Sequence, residues 1–450
     1  MIDRMRVNTA MTSSDMNDIE LMRDEAGGLL YETSIATITF FRGDIVGASQ
    51  ALRAQFDKVV RANPWLAGRL VRDKTSKGKL VLRHPVAPTE AHIDAVFASD
   101  HAEDVSGELS LGVPYPKLCK ALFAKKRVVP AGTALVNRPD APVTMLRLAR
   151  ASSGAFSLTF SLSHSVGDGR TYYEVLKMLS PGAKAAALDA TRASASFPDD
   201  MRDACGRDAL KWIDSTDAGC MFLCSMLPSV LGMGRKAKCV AFKLDAARLA
   251  EAKRAGAEQC GLPFVSANDV VTSAFFNACG SRIGLMGLDC RGRVDGVHGD
   301  SAGNYVTALV LDDEMFGAPG NIRKMLGTKP YVTTKKPFPS CAKWCCGKDS
   351  ASAGMVTNWS SFAGDLVKVP ECQLTMHLPV KDPDAVAFDC MIPFASRPGE
   401  TACCAGPRPR TKPACARRCR SGRWCRTRCS PGARARKSRR KSRRYERDAT

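Results

Sequence analysis

The chain has 450 residues, 19 of them cysteine, and a formal net charge of +21 that is spread unevenly: residues 401–450 hold 18 of the 66 Lys and Arg but only 2 of the 45 acidic residues. The other 400 residues are therefore only mildly basic, and any nucleic-acid role must rest on the last fifty. A content of 45% hydrophobic and 25% charged residues is that of a soluble globular protein, and the longest apolar stretch, CMFLCSMLPSVLGMG at 220–234, is too short for a membrane span and contains Pro228. Residues 1–20 show no apolar core of a secretory signal, so the cysteines are expected as free thiols in the cytoplasm.

In chain order, SIATITFF (34–41) reads as a strand. Residues 47–62 follow with Leu52, Phe56, Val59 and Val60 at helical spacing, and Asn63-Pro64 breaks that helix. KLVLRHP (79–85) is a further strand. PVTMLRLA (142–149) and AFSLTFSLSH (155–164) form a strand pair joined at Ser152-Ser153-Gly154. In the second of these, Phe156, Leu158, Phe160, Leu162 and His164 alternate with Ser157, Thr159, Ser161 and Ser163. A period of two puts His164 on the apolar face, pointing inward at the strand end. Low-dielectric surroundings disfavour an imidazolium, so a neutral, basic imidazole is expected. Asp168 suits the N-cap of a helix over 170–179, in which Tyr172, Val175, Leu176 and Leu179 share a face. Gly167 and Gly169 allow a tight turn and close backbone approach. Spacing alone leaves two readings open, a catalytic base or a core histidine beside a capped helix.

Residues 182–235 read as a crossover. KCVAFKLD (238–245) restarts a strand, AARLAEAKRAGAEQ (246–259) is a helix ended by Gly261 and Pro263, and another helix covers 267–281. NYVTALVLD (304–312) and CQLTMHLPV (372–380) are strands. GDSAG (299–303) matches the nucleophile elbow G-x-S-x-G, but it follows a charged turn and precedes a strand. That is the wrong context on both sides, so Ser301 is expected in a plain glycine-rich turn. CAKWCC (341–346) has neither a nearby histidine nor a second cysteine pair, so no metal site is expected. No phosphate-binding loop or dinucleotide fingerprint is present.

Residues 401–450 contain almost no aliphatic side chains and are expected to be a disordered, Cys/Arg-rich tail. The tail has three readings: a basic arm for nucleic acid, an inert solvated extension, or a GC-rich gene read in a shifted frame. The expected organisation is an N-terminal half over 1–185, a crossover over 186–236, a C-terminal half over 237–400, and the tail.

HSVGDG at 164–169 resembles the HxxxDG motif of the chloramphenicol-acetyltransferase-like superfamily, which includes the plant BAHD acyltransferases and the condensation domains of peptide synthetases. Further marks follow in the family's order. FDKVVRANPWLAGRL (56–70) is similar to a segment in the first half of BAHD enzymes, and VSANDVVTSAFFNA (265–278) to the helix opening their second half. Arg291 and Arg293, then Gly303 and Asn304, resemble the Arg-x-Arg and Gly-Asn series. VTNWSSF (356–362) resembles the Thr-x-Trp segment. The BAHD Asp-Phe-Gly-Trp-Gly motif is absent, with FAGDL (362–366) near its place. The double histidine of condensation domains is absent too, because Ser163 precedes His164.

The resemblance implies an α/β (α+β) fold of two sandwich-like halves forming a pseudo-dimer around a central tunnel. It implies acyl transfer from an acyl thioester, acyl-CoA, to a hydroxyl or amine, in a cytoplasmic monomer with no bound cofactor or metal. His164, Asp168 and Gly169 would form the catalytic motif. Thr357 and Trp359 would shape the oxyanion and acceptor pocket. Asp168 would pair with Arg291, which with Asn304 would support the loop. The alternatives are a non-catalytic binding module of the same fold and a nucleic-acid binder acting through the tail.

Overall fold

The computed structural model describes residues 15–73, 78–104, 109–138, 140–152, 154–193, 197–205, 215, 239–328, 352–382 and 389–406. The apolar stretch 220–234, CAKWCC at 341–346 and the tail from 407 onward lie outside the described residues.

The first half runs β1 (Met16–Glu20), α1 (Gly28–Tyr31), β2 (Ser34–Arg42), α2 (Ile45–Ala62), β3 (Arg69–Arg72), β4 (Leu80–Pro85), α3 (Glu90–Val96), β5 (Phe97–Asp104), α4 (Tyr115–Ala124), α5 (Gly132–Val136), β6 (Thr144–Ser152), β7 (Ala155–Ser163) and α6 (Gly169–Met178). After α7 (Phe197–Cys205), the second half has β8 (Val240–Lys243), α8 (Ala246–Cys260), α9 (Ala267–Cys279), β9 (Ser281–Asp289), β10 (Val306–Asp312), α10 (Pro319–Leu326), β11 (Ser352–Val356), β12 (Gln373–Pro379), β13 (Asp389–Arg397) and β14 (Glu400–Gly406). Among the described residues no helix is long and apolar enough to cross a membrane.

Local chemistry accounts for the helix ends. Asp44 caps α2 by accepting from Val46 N and Gly47 N, and the buried stripe Ile45, Ala48, Leu52, Phe56, Val59 and Val60 seats the helix on its sheet. Asp245 caps α8, which stops at Gly261 with φ +62°. Ser266 and Asp269 form a reciprocal capping box on α9.

Three sheets result, in the orders β1-β4-β3, β12-β2-β7-β6-β5 and β10-β9-β11-β13-β14-β8. The two larger sheets repeat one pattern. Along β2-β7-β6-β5 the pairings are antiparallel, antiparallel, parallel, and along β8-β14-β13-β11 they are the same. In each half the first of these strands is followed by a capped helix, α2 or α8. The expected pair of similar halves is thus present as a topological repeat.

Two features depart from the reading by chain order. Strand β12 lies within 237–400 but hydrogen-bonds to β2, from Gln373 opposite Arg42 to Pro379 opposite Thr37. One strand of the second half therefore completes the first sheet. The segment expected to be coreless from residue 401 instead begins as β14, paired on both sides, with Cys403 and Cys404 fully buried. Small Ala and Cys side chains fill a sheet interior as well as aliphatic ones do. The second half therefore runs past the boundary expected at 400, through Gly406 at least.

β7 is central to its sheet and buried on both faces. Phe156, Leu158, Phe160 and Leu162 join the main core with α2 and α6. Ser157, Thr159 and Ser161 face the other way, beside Ala36, Ile38 and Phe40 of β2, where α4 covers the sheet with Leu118 and Leu122.

Candidate active site

β7 ends at Ser163, and His164 is the first residue of the turn that follows. Its backbone N–H still reaches Thr33 O at 3.2 Å, one register step beyond the Ser34–Ser163 pair. The residue keeps partial solvent exposure. Its ring Nδ1 lies 2.9 Å from Asn304 Oδ1. Burial lowers its pKa from the usual 6.5, opposed by the ring's hydrogen bonds to its own backbone and to Asn304 and by the charges of Asp168 and Glu25.

Asp168 is buried and fully occupied. Oδ1 accepts from Thr171 N at 2.9 Å, which caps α6, and from Arg291 Nη2 at 3.2 Å. Oδ2 accepts from Arg291 Nη1 and from Tyr305 N, both at 2.9 Å. Arg291 also donates to Ser301 O, Gly303 O, Thr171 Oγ1 and Asp289 Oδ1, and its guanidinium lies 5.1 Å from the Tyr305 ring centre. This bidentate pair ties the turn after β7 to the segment that leads into β10. Four donors thus occupy the Asp168 carboxylate, which is committed to this clamp.

The glycines of the motif answer to close contacts. A Cβ on Gly167 would sit 2.7 Å from Thr171 Cγ2, and one on Gly169 would sit 3.2 Å from Trp359 Nε1. Trp359 is buried against α6, with its ring centre 6.5 Å from that of Tyr172 and 5.8 Å from that of Tyr173.

Two buried charges that periodicity does not single out complete the site. Glu25, in the turn after β1, accepts from Asn304 N at 3.0 Å and from Asn304 Nδ2 at 3.1 Å. Its other oxygen accepts from Arg192 Nε at 2.7 Å and Met22 N at 3.0 Å. The hydroxyls of Ser163 and Ser165, on either side of His164, are buried without a hydrogen-bond partner among the described residues.

No family model matches the chain and no curated protein matches it in sequence. Solved structures do match in shape. TRI101 of F. sporotrichioides, complexed with coenzyme A and T-2, matches over 87% of this chain and 95% of that one, with TM-score 0.52 and 16% identity. TRI101 of F. graminearum, complexed with coenzyme A and deoxynivalenol, matches over the same shares with TM-score 0.51 and 14% identity. The first condensation domain of the calcium-dependent antibiotic synthetase matches over 87% and 89%, with TM-score 0.51 and 14% identity.

The chain has the chloramphenicol-acetyltransferase-like fold.

The fold does not choose a branch, because acyltransferase and condensation domain match it equally well. Within this chloramphenicol-acetyltransferase-like fold, His164, Asp168, Gly169, Arg291 and Asn304 come together in one cluster. Thr357 and Trp359 do not hydrogen-bond to His164. Thr357 N donates to Met391 O at 3.1 Å and Trp359 N to Pro393 O at 2.8 Å, so this segment is fixed to β13. Trp359 packs in the core against Tyr172 and Tyr173 of α6. Two clefts stand out among the described residues. One of about 220 Å³ is lined by Arg42, Gln373 and Arg397, and one of about 410 Å³ by Lys253, Leu262 and Phe264. Neither is lined by His164, so neither is the tunnel that the resemblance implies.

Ser301 sits in a turn as expected. Its Oγ accepts from His298 N at 3.0 Å, it forms an isolated parallel bridge with Asp189, and the turns after β9, not a strand, lead into it. His377 is a core histidine, bonded to Thr39 and Tyr173.

Proposed function

We propose that the chain is an acyltransferase that moves an acyl group from an acyl thioester, acyl-CoA, to a hydroxyl or amine acceptor, with His164 as general base. One observation carries the reading. Asn304 Oδ1 holds Nδ1 of His164, on a loop clamped by Asp168 and Arg291, so Nε2 is left to take a proton. The fold is that of proteins that include TRI101, solved with coenzyme A, which supports acyl-CoA as donor here.

In the proposed reaction, Nε2 removes the acceptor's proton as its oxygen or nitrogen attacks the thioester carbonyl. The carbon–sulfur bond then breaks, and the thiolate leaves with a proton returned from the imidazolium. General-base assistance of this kind contributes roughly 10² to 10⁴ in rate. Thr357 is the proposed oxyanion donor. What supports this is its position two residues before Trp359, the residue that packs against Gly169 at the start of α6. We place the protein in the cytoplasm as a monomer. All nine described cysteines whose state is assigned are free thiols, which suits a reducing compartment.

The test is thiol release from a panel of acyl-CoA donors with mixed alcohols and amines. His164→Ala should fold normally and lose turnover by about 10²-fold or more. Equal thiol release by H164A and the wild-type chain would reject the proposal.

A further inference from the structure

Glu25 is 0% exposed. A carboxylate in such a place is costly unless donors surround it. Four N–H groups do: Asn304 N, Asn304 Nδ2, Arg192 Nε and Met22 N. All four donate, so both oxygens of Glu25 serve as acceptors here. No step of the proposed reaction consumes it.

We infer that Glu25, held in place by Arg192, is a positioning residue for His164. It acts through Asn304, whose amide it orients so that Nδ1 of the imidazole carries the proton and Nε2 is free.

Asn304 has two amide N–H donors and one carbonyl acceptor. One N–H goes to His164 O at 2.7 Å and the other to Glu25 Oε1 at 3.1 Å. Neither oxygen can donate. Flipping the amide would press its carbonyl against two acceptors, so the orientation is locked. Oδ1 therefore faces the ring, and at 2.9 Å from Nδ1 it can only accept. Nδ1 must donate, and the lone pair belongs to Nε2.

Arg192 makes the arrangement rigid. Besides Glu25, its guanidinium donates to Ala190 O and Ala302 O at 2.9 Å and to Val166 O at 3.3 Å. It thereby joins the start of the crossover to both loops that carry His164 and Asn304. Gly303 belongs to this contact: its φ is +153°, and a Cβ there would sit 3.0 Å from the Tyr305 ring and 3.3 Å from Arg192 Nη1. No proton crosses Asn304 in this scheme. When Nε2 is protonated, the imidazolium keeps its Nδ1–H bond to Oδ1. The charged groups around it are Glu25 and Asp168, backed by Arg192 and Arg291.

This inference rests on the reading of His164 as a base, but its test needs no substrate. The full chain is labelled with ¹⁵N-histidine, the His164 signals are assigned by their loss in H164A, and long-range ¹⁵N–¹H correlation reports the tautomer. The wild-type chain should show Nδ1–H at neutral pH. Glu25→Gln should raise the Nε2–H fraction by about tenfold, as expected when a charge-assisted hydrogen bond is lost. Glu25→Asp, which keeps the charge, should restore much of the original ratio. Unchanged tautomers in both variants alongside a lower melting temperature would make Glu25 merely structural and overturn the inference. A wild-type His164 carrying its proton on Nε2 would overturn it whether or not the variants fold. A chain without thiol release whose tautomer still answers to Glu25 would sink the transferase and leave the positioning role standing. Active enzyme with an indifferent tautomer would do the reverse.

Discussion

Asp168 and Arg291, 123 residues apart in the chain, close on each other through two hydrogen bonds of 2.9 and 3.2 Å, with both side chains at most 4% exposed. The pair joins the helix-capping turn after β7 to the loop before β10, so it holds His164 and Asn304 in a common frame. Breaking it leaves an uncompensated charge in a buried place. Asp168→Asn should cost about 3–5 kcal/mol, and Arg291→Lys should lose much of the same, because an ammonium cannot reproduce the planar fork. Urea unfolding of each variant measures this, and an unchanged midpoint would contradict the structural role.

Gly169 and Trp359 form a second long-range constraint. A Cβ at 169 would sit 3.2 Å from Trp359 Nε1, a tight contact that the buried indole can relieve only by moving a few tenths of an ångström. Gly169→Ala should therefore cost about 1–2 kcal/mol despite the better helix propensity of alanine. Trp359→Phe removes the offending edge, so the added cost of alanine at 169 should largely vanish in the double variant. A double-mutant cycle by denaturant unfolding checks the coupling, and strict additivity would show that the two positions do not compete for space.

His377 and His164 make the fold sensitive to acid. His377 is buried between Thr39 and Tyr173, and burial pushes its pKa from 6.5 down to about 3. Burial lowers that of His164 as well. The unfolded chain takes up these protons near pH 6.5, and the native chain only further down. Between those values the unfolded state binds more protons, so stability falls as pH falls. For His377 alone the loss reaches roughly 3 kcal/mol by pH 4. Unfolding free energies at pH 7 and pH 4 should differ by at least that much, and His377→Gln should flatten the difference. Under the proposed mechanism, kcat/KM for thiol release should drop on the acid side through a pKa below 6.5 that disappears from the profile only if His164 is not the base.

β14 places a boundary where composition does not. Seven residue pairs join β14 to β13, and four join it to β8. A chain ending at Gly399 loses a central strand, exposes one edge of β13 and leaves β8 without its partner, and it should fail to give a cooperative melt. A chain ending at Gly406 should melt within a few degrees of the full chain. Cys403, whose thiol burial pushes up to about 12, should resist thiol reagents until the protein unfolds. Rapid labelling of Cys403 in the native state would show that β14 is not in place.

The sequence by itself determined most of the local elements and the chemistry of one loop. Alternation along 155–164, the apolar stripe of α2 and the capping carboxylate of Asp168 act over a few residues, and short-range periodicity and hydrogen bonding suffice to read them. Arg291 and Asn304 came within reach only because a family resemblance links distant motifs. Tertiary structure alone decided the rest. Nothing in the neighbourhood of Glu25 or Arg192 marks them as partners of Asn304, since their role depends on loops that meet only once both halves are folded. β12 joins the first sheet because an edge strand pairs with whichever backbone lies open beside it, regardless of chain order. β14 is buried because two strands flank it, which its Thr, Ala and Cys composition does not announce. Burial and hydrogen-bond closure belong to the whole fold, and residues far apart in the chain acquire their function there.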